Sequence, residues 1–215
     1  MYKRQIKKIQ SQSVIIEEIE FPLELLQVLR SVYMIISYVE AASSQSNLTG
    51  INFGVRQGNE LDDYQNIILK TRFQFGEIVK KRKIFGALAL VDSNKQNLLL
   101  QAKKVRSKIV HYFEEIFTKY DAVLLPSANN CAPLISDVLE NKLNNKNHIA
   151  DDALLLANFA GSPSISIPIG LINELPFAMT INCSPFKDQK TLNIAYGIEK
   201  IVDFKAICPF RKEEK

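Results

Sequence analysis

The sequence predicts an α/β protein in which helices pack against a sheet. The clearest indication is the stretch 151–170, DDALLLANFAGSPSISIPIG, whose apolar helical run over 153–159 ends at Gly161. A turn at Pro163 then leads into alternating apolar and polar residues, the pattern of a strand with one buried face. A second strand is predicted over 175–182. Because only a short polar loop separates the two strands, we expect them to pair.

Asp151 opens this stretch, and we expect it to cap the helix that follows. An aspartate in that position accepts hydrogen bonds from the free N–H groups of the first helical turn. We also expect its carboxylate to face a cavity. Spacing alone leaves two interpretations open: a carboxylate that holds a substrate amine, or an ordinary helix cap.

Composition excludes few classes of function. The chain has 215 residues, 47% hydrophobic and 23% charged, which is ordinary for a soluble globular protein with a sizeable core. A net charge of +4 argues neither for nor against a nucleic-acid partner. The three cysteines, Cys131, Cys183 and Cys208, are far apart, which speaks against a disulfide framework or a zinc site and favours a reducing cytoplasm. We find no secretory signal and no run of ~18 apolar residues that would span a membrane.

The first ninety residues predict helix, strand, helix and loop, followed by two more helices. A short basic helix is expected over 2–10, and the β-branched run after it predicts a strand over 13–21. Pro22 then opens a helix that is apolar on most sides and is therefore expected in the core. The remaining elements are a polar loop and two helices, over 42–63, 63–72 and 76–91.

The second of those helices carries a run of four cations, over 80–83. Four consecutive residues cannot share one face of a helix, so some must point toward a cleft while others are solvated. A solvated face is one interpretation. The other is a guanidinium, that of Arg82, placed to bind a carboxylate through two parallel hydrogen bonds.

The longest helix is predicted over 94–119, followed by a short apolar strand over 122–125. Its basic rim either contacts RNA phosphates or is simply solvated. Its expected buried stripe consists of Leu98, Ala102, Val105, Ile109, Phe113 and Ile116. The later part predicts a brief helix, a linker over 141–147 and a last helix over 189–202, whose inward face carries Leu192, Ala195, Ile198 and Val202.

The sequence lacks the usual catalytic motifs. Neither histidine has the neighbours that nucleophilic catalysis needs, and no nucleophile elbow, P-loop or dinucleotide fingerprint occurs. His148 precedes Asp151 and Asp152 at a spacing that suits two metal ligands, but no third ligand is in view. Composition and spacing therefore predict a mixed α/β protein and indicate no particular function.

Five segments, in order, resemble the C-terminal half of the amidase signature family. Within the family they are most similar to the branch that releases ammonia from glutamine to amidate Glu-tRNA(Gln). The segments are VYMIISYVEAASSQSNL, FGEIVKKRKIFGALAL, LLLQAKKVRSKIVHYFEEIFTKYDAVLLP, ANFAGSPSISIPIG and LPFAMTINCSPFKDQKTLNIA. The resemblance implies the C-terminal part of the amidase signature fold, an incomplete domain over 1–204 with a mixed β-sheet covered by helices, and a charged tail over 205–215.

The resemblance also implies a chemistry that is only partly present. In the family a serine attacks the amide of glutamine, activated through a second serine and a lysine, and none of these three residues has a match here. We therefore expect the chain alone to be inactive. No cofactor is expected in this chain, since ATP and Mg belong to a partner protein of the complex. The implied partners are the other amidotransferase subunits, Glu-tRNA(Gln) indirectly and a separate N-terminal amidase half, with no membrane.

The residues that do have a match in the family are those that recognise glutamine. The resemblance implies that Tyr33 lines the glutamine pocket, that Arg82 binds the α-carboxylate and that Asp151 holds the α-ammonium group. Lys81 replaces an arginine and Leu156 a usual proline, which affects the shape of the pocket rather than the charge pair. Two alternatives remain: a non-catalytic remnant that binds RNA or the other amidotransferase subunits, and part of an amidase for other small amides.

Overall fold

The computed structural model describes residues 2–59, 61–139 and 149–205. The chain forms two compact units, one from 1–29 with 108–215 and the other from 30–107. The helices are α1 Tyr2–Gln10, α2 Leu23–Ser44, α3 Tyr64–Phe73, α4 Glu77–Leu90, α5 Asp92–Asn94, α6 Gln101–Lys119, α7 Ile135–Leu139, α8 Ile149–Ala153, α9 Leu155–Ala160 and α10 Asp188–Val202. The strands are β1 Val123–Pro126, β2 Ser164–Ile172 and β3 Leu175–Asn182.

The first unit contains a three-stranded antiparallel sheet in the order β1-β3-β2. The predicted pairing of the last two strands is confirmed, with Ile172 opposite Leu175. Asn173 and Glu174 form the two-residue turn between them with φ of 50° and 65°. Positive φ at both positions is the geometry of a type I′ turn, whose twist matches that of the flanking strands. The described strands contain no parallel pair, whereas the resemblance implied a mixed sheet.

A bulge at Ile169 interrupts the hairpin. Pro168 pairs with Ala178 and Gly170 with Phe177, so the residue between them has no partner in the ladder. The side-chain amide of Gln5 donates to the carbonyl of Ile169 at 2.8 Å, which satisfies the acceptor that the bulge releases. The N-terminal helix is thereby tied to the sheet.

Helices α1 and α10 cover one face of this sheet. Lys8 donates from Nζ to the carbonyl of Val202 at 2.9 Å, and this bond satisfies a terminal acceptor of α10. The buried cluster under the two helices contains Ile9, Ile167, Ile169, Met179, Ile181, Ala195, Ile198 and Val202. Three of the four residues predicted for the inward face of α10 are confirmed. Leu192 is 53% exposed, and Thr191 takes the buried position instead.

The second unit is organised by a close approach of α2 and α4. A Cβ added to Gly86 would lie 2.1 Å from the carbonyl oxygen of Tyr38, so only glycine fits there. The next turn of α4 buries Ala89 against Val39 and Leu99. A 3₁₀ turn, Gln45–Asn47, continues α2.

Two predicted elements differ from the structure. Residues 14–22 form no strand, because two tyrosines hold this segment. Tyr112 of α6 donates to the backbone carbonyl of Glu20 at 3.0 Å, and Tyr120, which follows α6, donates to the side-chain carboxylate of Glu17 at 2.6 Å. The long helix is α-helical only from Gln101, after a π-helical turn over Lys95–Leu100. The other predicted helices among the described residues are confirmed within a few positions; the linker over 141–147 and most of the charged tail lie outside them.

One helix bears on the expectation that no segment spans a membrane. By length and composition, Leu23–Asn47 is apolar enough to cross a membrane, with a mean hydropathy of 1.3. Core helices pass the same test, and both Arg30 and Glu40 would be costly in a lipid interior. One such helix among the described residues is weak evidence and supports no assignment.

Gly86→Ala tests the close approach of the two helices. We expect it to lower the free energy of unfolding by about 1–3 kcal/mol, because the added methyl group meets a backbone carbonyl that cannot move alone. Gly197→Ala is the matched control within α10, since its Cβ meets nothing within 4 Å. That change should stabilise by about 0.5–1 kcal/mol through helix propensity. Urea unfolding followed by circular dichroism measures both, and equal effects would contradict the packing described.

Tyr2→Phe tests the burial of the N-terminal helix. Burial raises the pKa of Tyr2 from 10.0 to about 12, and its hydroxyl has no hydrogen-bond partner among the described residues. Because the folded state keeps this phenol protonated, folding is favoured fully at a pH below 10, the pKa of the phenol in the unfolded chain. Stability is lost as the pH rises from about 10 toward 12, where the unfolded chain ionises more readily than the folded one. Tyr2→Phe should therefore unfold less readily with alkali than the unmodified chain and lose no stability at neutral pH. Identical pH dependence of the two proteins would contradict the burial.

Candidate functional site

Arg82 lies on α4, one helical turn before Gly86. Its side chain is exposed, and its guanidinium carbon lies 5.6 Å from the centroid of the Tyr38 ring. The Tyr38 ring in turn meets Phe85 edge to face, with centroids 5.8 Å apart. The close approach at Gly86 thus places Arg82 over an aromatic ring in a cation–π contact.

The other three cations of the run have different contacts. Lys80 lies over Phe73 at 4.5 Å, and Lys81 pairs with Glu77 one turn away. Lys83 lies over Phe75 at 4.0 Å, and burial is the main cause that lowers its pKa. Among the described residues, Arg82 has no carboxylate partner and makes only its ring contact. Its N–H donors therefore remain available to an anionic ligand.

Tyr33 lies on α2 in the same unit and is half-buried. It lies five positions before Tyr38, so the two rings project about 140° apart around the helix. The sequence analysis singled out Tyr33 and missed Tyr38, the ring that touches Arg82. Tyr38 meets Arg82 because α2 packs against α4, and the spacing of residues within α2 alone does not show which of its rings faces the other helix.

Asp151 belongs to the first unit and does not cap the helix that follows it. The chain breaks at Leu154 into two short helices, and α9 has no side-chain cap. The half-buried carboxylate of Asp151 instead accepts the backbone N–H of Asn129 at 2.9 Å through Oδ1. Among the described residues this is its only hydrogen bond, so Oδ2 retains its acceptor capacity.

Hydroxyl groups connect the three strands next to the loop that follows β1 and carries Asn129. Thr180 is 2% exposed at the centre of the sheet, and its Oγ1 lies 2.7 Å from the Oγ of Ser127 and 2.7 Å from the Oγ of Ser166. Two residues further along β3, Asn182 is fully buried, and neither polar atom of its side chain is hydrogen-bonded among the described residues. The sequence analysis assigned no role to these polar positions.

The described residues contain no group of three or more potential metal ligands. His148, the remaining member of the spacing considered above, lies outside them. His111 lies 3.3 Å from Glu115 on the surface of α6. Cys131 and Cys183 are free thiols, and Cys208 lies outside the described residues.

The family model described as Amidase matches residues 1–192, which is most of the chain. This protein belongs to the amidase family. The A subunit of the Mycoplasma genitalium glutamyl-tRNA(Gln) amidotransferase is 41% identical over 189 residues, covering 86% of this chain and 39% of the relative. The protein of the same name from Mycoplasma pneumoniae is 37% identical over 185 residues, 84% of this chain and 38% of the relative. The chain thus spans less than two fifths of these relatives.

Solved structures agree on the fold. The A subunit of the Thermotoga maritima glutamyl-tRNA(Gln) amidotransferase superposes with a TM-score of 0.62 at 27% identity, over 92% of this chain and 37% of that one. A structure described as an amidase gives a TM-score of 0.66 at 16% identity, which supports the fold alone. The expected α/β fold of the amidase signature type is confirmed.

Proposed function

We propose that this chain is the glutamine-recognition part of an amidotransferase subunit that releases ammonia from glutamine to amidate Glu-tRNA(Gln). Arg82 binds the α-carboxylate of glutamine, Asp151 its α-ammonium group, and Tyr33 lines the pocket. The observation that supports this most is the guanidinium of Arg82, set over Tyr38 without an acidic partner among the described residues. Residues 1–204 then act as one part of an amidase domain.

The charges suit a zwitterionic ligand. A free amino acid presents one carboxylate and one ammonium group, and each requires a protein group of opposite charge. Arg82 offers donors in a planar fork that matches a carboxylate. The engaged Oδ1 of Asp151 leaves Oδ2 for the ammonium group. Each charge-assisted hydrogen bond contributes about 1.5–3 kcal/mol.

In this proposal the bond-breaking groups come from polypeptide outside this sequence. The Ser-Ser-Lys residues of the family form and hydrolyse the acyl-enzyme, so that glutamine and water give glutamate and ammonia. Helix α4 exposes two apolar side chains one turn apart, Ile84 and Leu88, at 69% and 52% exposure, and Val91 just after the helix is 52% exposed. Surfaces of this kind are typical of interfaces. The other amidotransferase subunits, which supply ATP and Mg chemistry and bind the tRNA, complete a cytoplasmic enzyme.

Glutamine binding by the full chain, measured by calorimetry, tests the proposal. Arg82→Ala and Asp151→Asn should each weaken binding about 10- to 100-fold, as expected for the loss of one charge-assisted bond. Glutaramate lacks the α-ammonium group, so its binding should be insensitive to Asp151→Asn and still sensitive to Arg82→Ala.

Lys81→Ala is the matched control, because Lys81 is the neighbouring exposed cation and already pairs with Glu77. It should leave the affinity for glutamine unchanged. Equal losses of glutamine affinity in Lys81→Ala and Arg82→Ala would mean that binding depends only on net charge and would contradict a specific role of Arg82. Salt-dependent binding of tRNA that is unaffected by Arg82→Ala, with no binding of glutamine, would favour an RNA-binding remnant instead.

A further inference from the structure

We propose that Thr180 is a positioning residue for Asp151, acting through the loop that follows β1. The inference rests on the proposed role of Asp151 and adds the group that holds its carboxylate in place. Thr180 itself touches no ligand in this account.

Thr180 joins all three strands through one buried hydroxyl. A threonine hydroxyl has one proton and two lone pairs, so it can donate to one serine and accept from the other. Ser166 on β2 and Ser127 after β1 each lie 2.7 Å from it. Thr180 is 2% exposed, so both serines lose a partner within the sheet when its hydroxyl is removed. Ser166 is exposed and can turn to water, whereas Ser127 is half-buried and loses more.

Ser127 is attached to β3 at two points. Its side chain meets Thr180, and its backbone N–H donates to the carbonyl of Ala178 at 3.2 Å. Two residues later, the N–H of Asn129 donates to Oδ1 of Asp151 at 2.9 Å. Two residues of extended chain span at most about 7 Å, so fixing residue 127 strongly restricts where this N–H can lie.

The bond between Asn129 and Asp151 has little protection of its own. Asn129 is exposed, so water can compete for this hydrogen bond. The attachment of the loop to the sheet therefore helps to fix the geometry of the bond. With Oδ1 engaged, Asp151 keeps one orientation and presents Oδ2 to a cation without first losing rotamer entropy.

Thr180→Val removes the hydroxyl and keeps the shape of the side chain, and two measurements in the full chain follow its effect. Exchange of the Asn129 amide hydrogen, observed by NMR, should become faster. Glutamine binding should weaken about 3- to 10-fold, as for a lost hydrogen bond, while glutaramate binding stays unchanged. Thr180→Ser should restore both properties.

Thr191→Val is the matched control, because Thr191 is 3% exposed and donates its hydroxyl to Lys187 at the start of α10, with no connection to the loop. It should change neither measurement. Ser127→Ala should reproduce Thr180→Val and replaces it if the valine variant does not fold.

Normal exchange at Asn129 in both Thr180→Val and Ser127→Ala would overturn the inference. So would equal acceleration in Thr191→Val, which would indicate general loss of stability. Faster exchange in the loop variants together with unchanged glutamine binding in Asp151→Asn would support the positioning contact and refute the proposed role of the carboxylate.

Discussion

Strand β3 is buried on both faces over its last four residues, and the first unit depends on this burial. It pairs with β1 on one side and β2 on the other, so its even and odd positions serve different layers. Met179 and Ile181 enter the apolar cluster beneath α1 and α10, whereas Thr180 and Asn182 point the opposite way and are equally buried. A polar residue buried in such a place is costly unless it finds a hydrogen-bond partner nearby, and among the described residues the side chain of Asn182 finds none. Thr180 finds two, Ser127 and Ser166, and Ser127 begins the loop that carries Asn129.

The second unit depends on a glycine at a helix contact. Helices α2 and α4 approach so closely at Gly86 that the backbone of Tyr38 takes the place of a side chain. The ring of Tyr38 then lies beneath Arg82, and the cation gains an aromatic surface, with no carboxylate in the described part of the chain to neutralise it. A guanidinium prepared in this way costs less to order when an anion binds.

Periodicity predicted the helices and the β2–β3 hairpin because both patterns depend on residues close in sequence. Periodicity gave wrong predictions where contacts between residues far apart in sequence determine the local structure. The β-branched run before Pro22 favours a strand, but the hydroxyl groups of Tyr112 and Tyr120 hold it in an irregular path. Asp151 was expected to cap a helix, yet the break at Leu154 separates it from α9, and its partner Asn129 lies 22 residues away. The family resemblance supplied Arg82 and Asp151 as ligand groups, whereas Tyr38 and Thr180 required contacts between elements.

We propose that this chain recognises glutamine while the catalytic serines and lysine belong to other polypeptide. The most direct measurement is ammonia release from glutamine by the chain alone, by the chain mixed with the part of the Mycoplasma genitalium relative that it does not match, and by a fusion of the two. We expect no release from the chain alone, and release from the mixture or the fusion that Arg82→Ala lowers strongly at glutamine concentrations below saturation. Release from the chain alone, an inactive fusion that folds, or activity indifferent to Arg82→Ala would contradict the proposal.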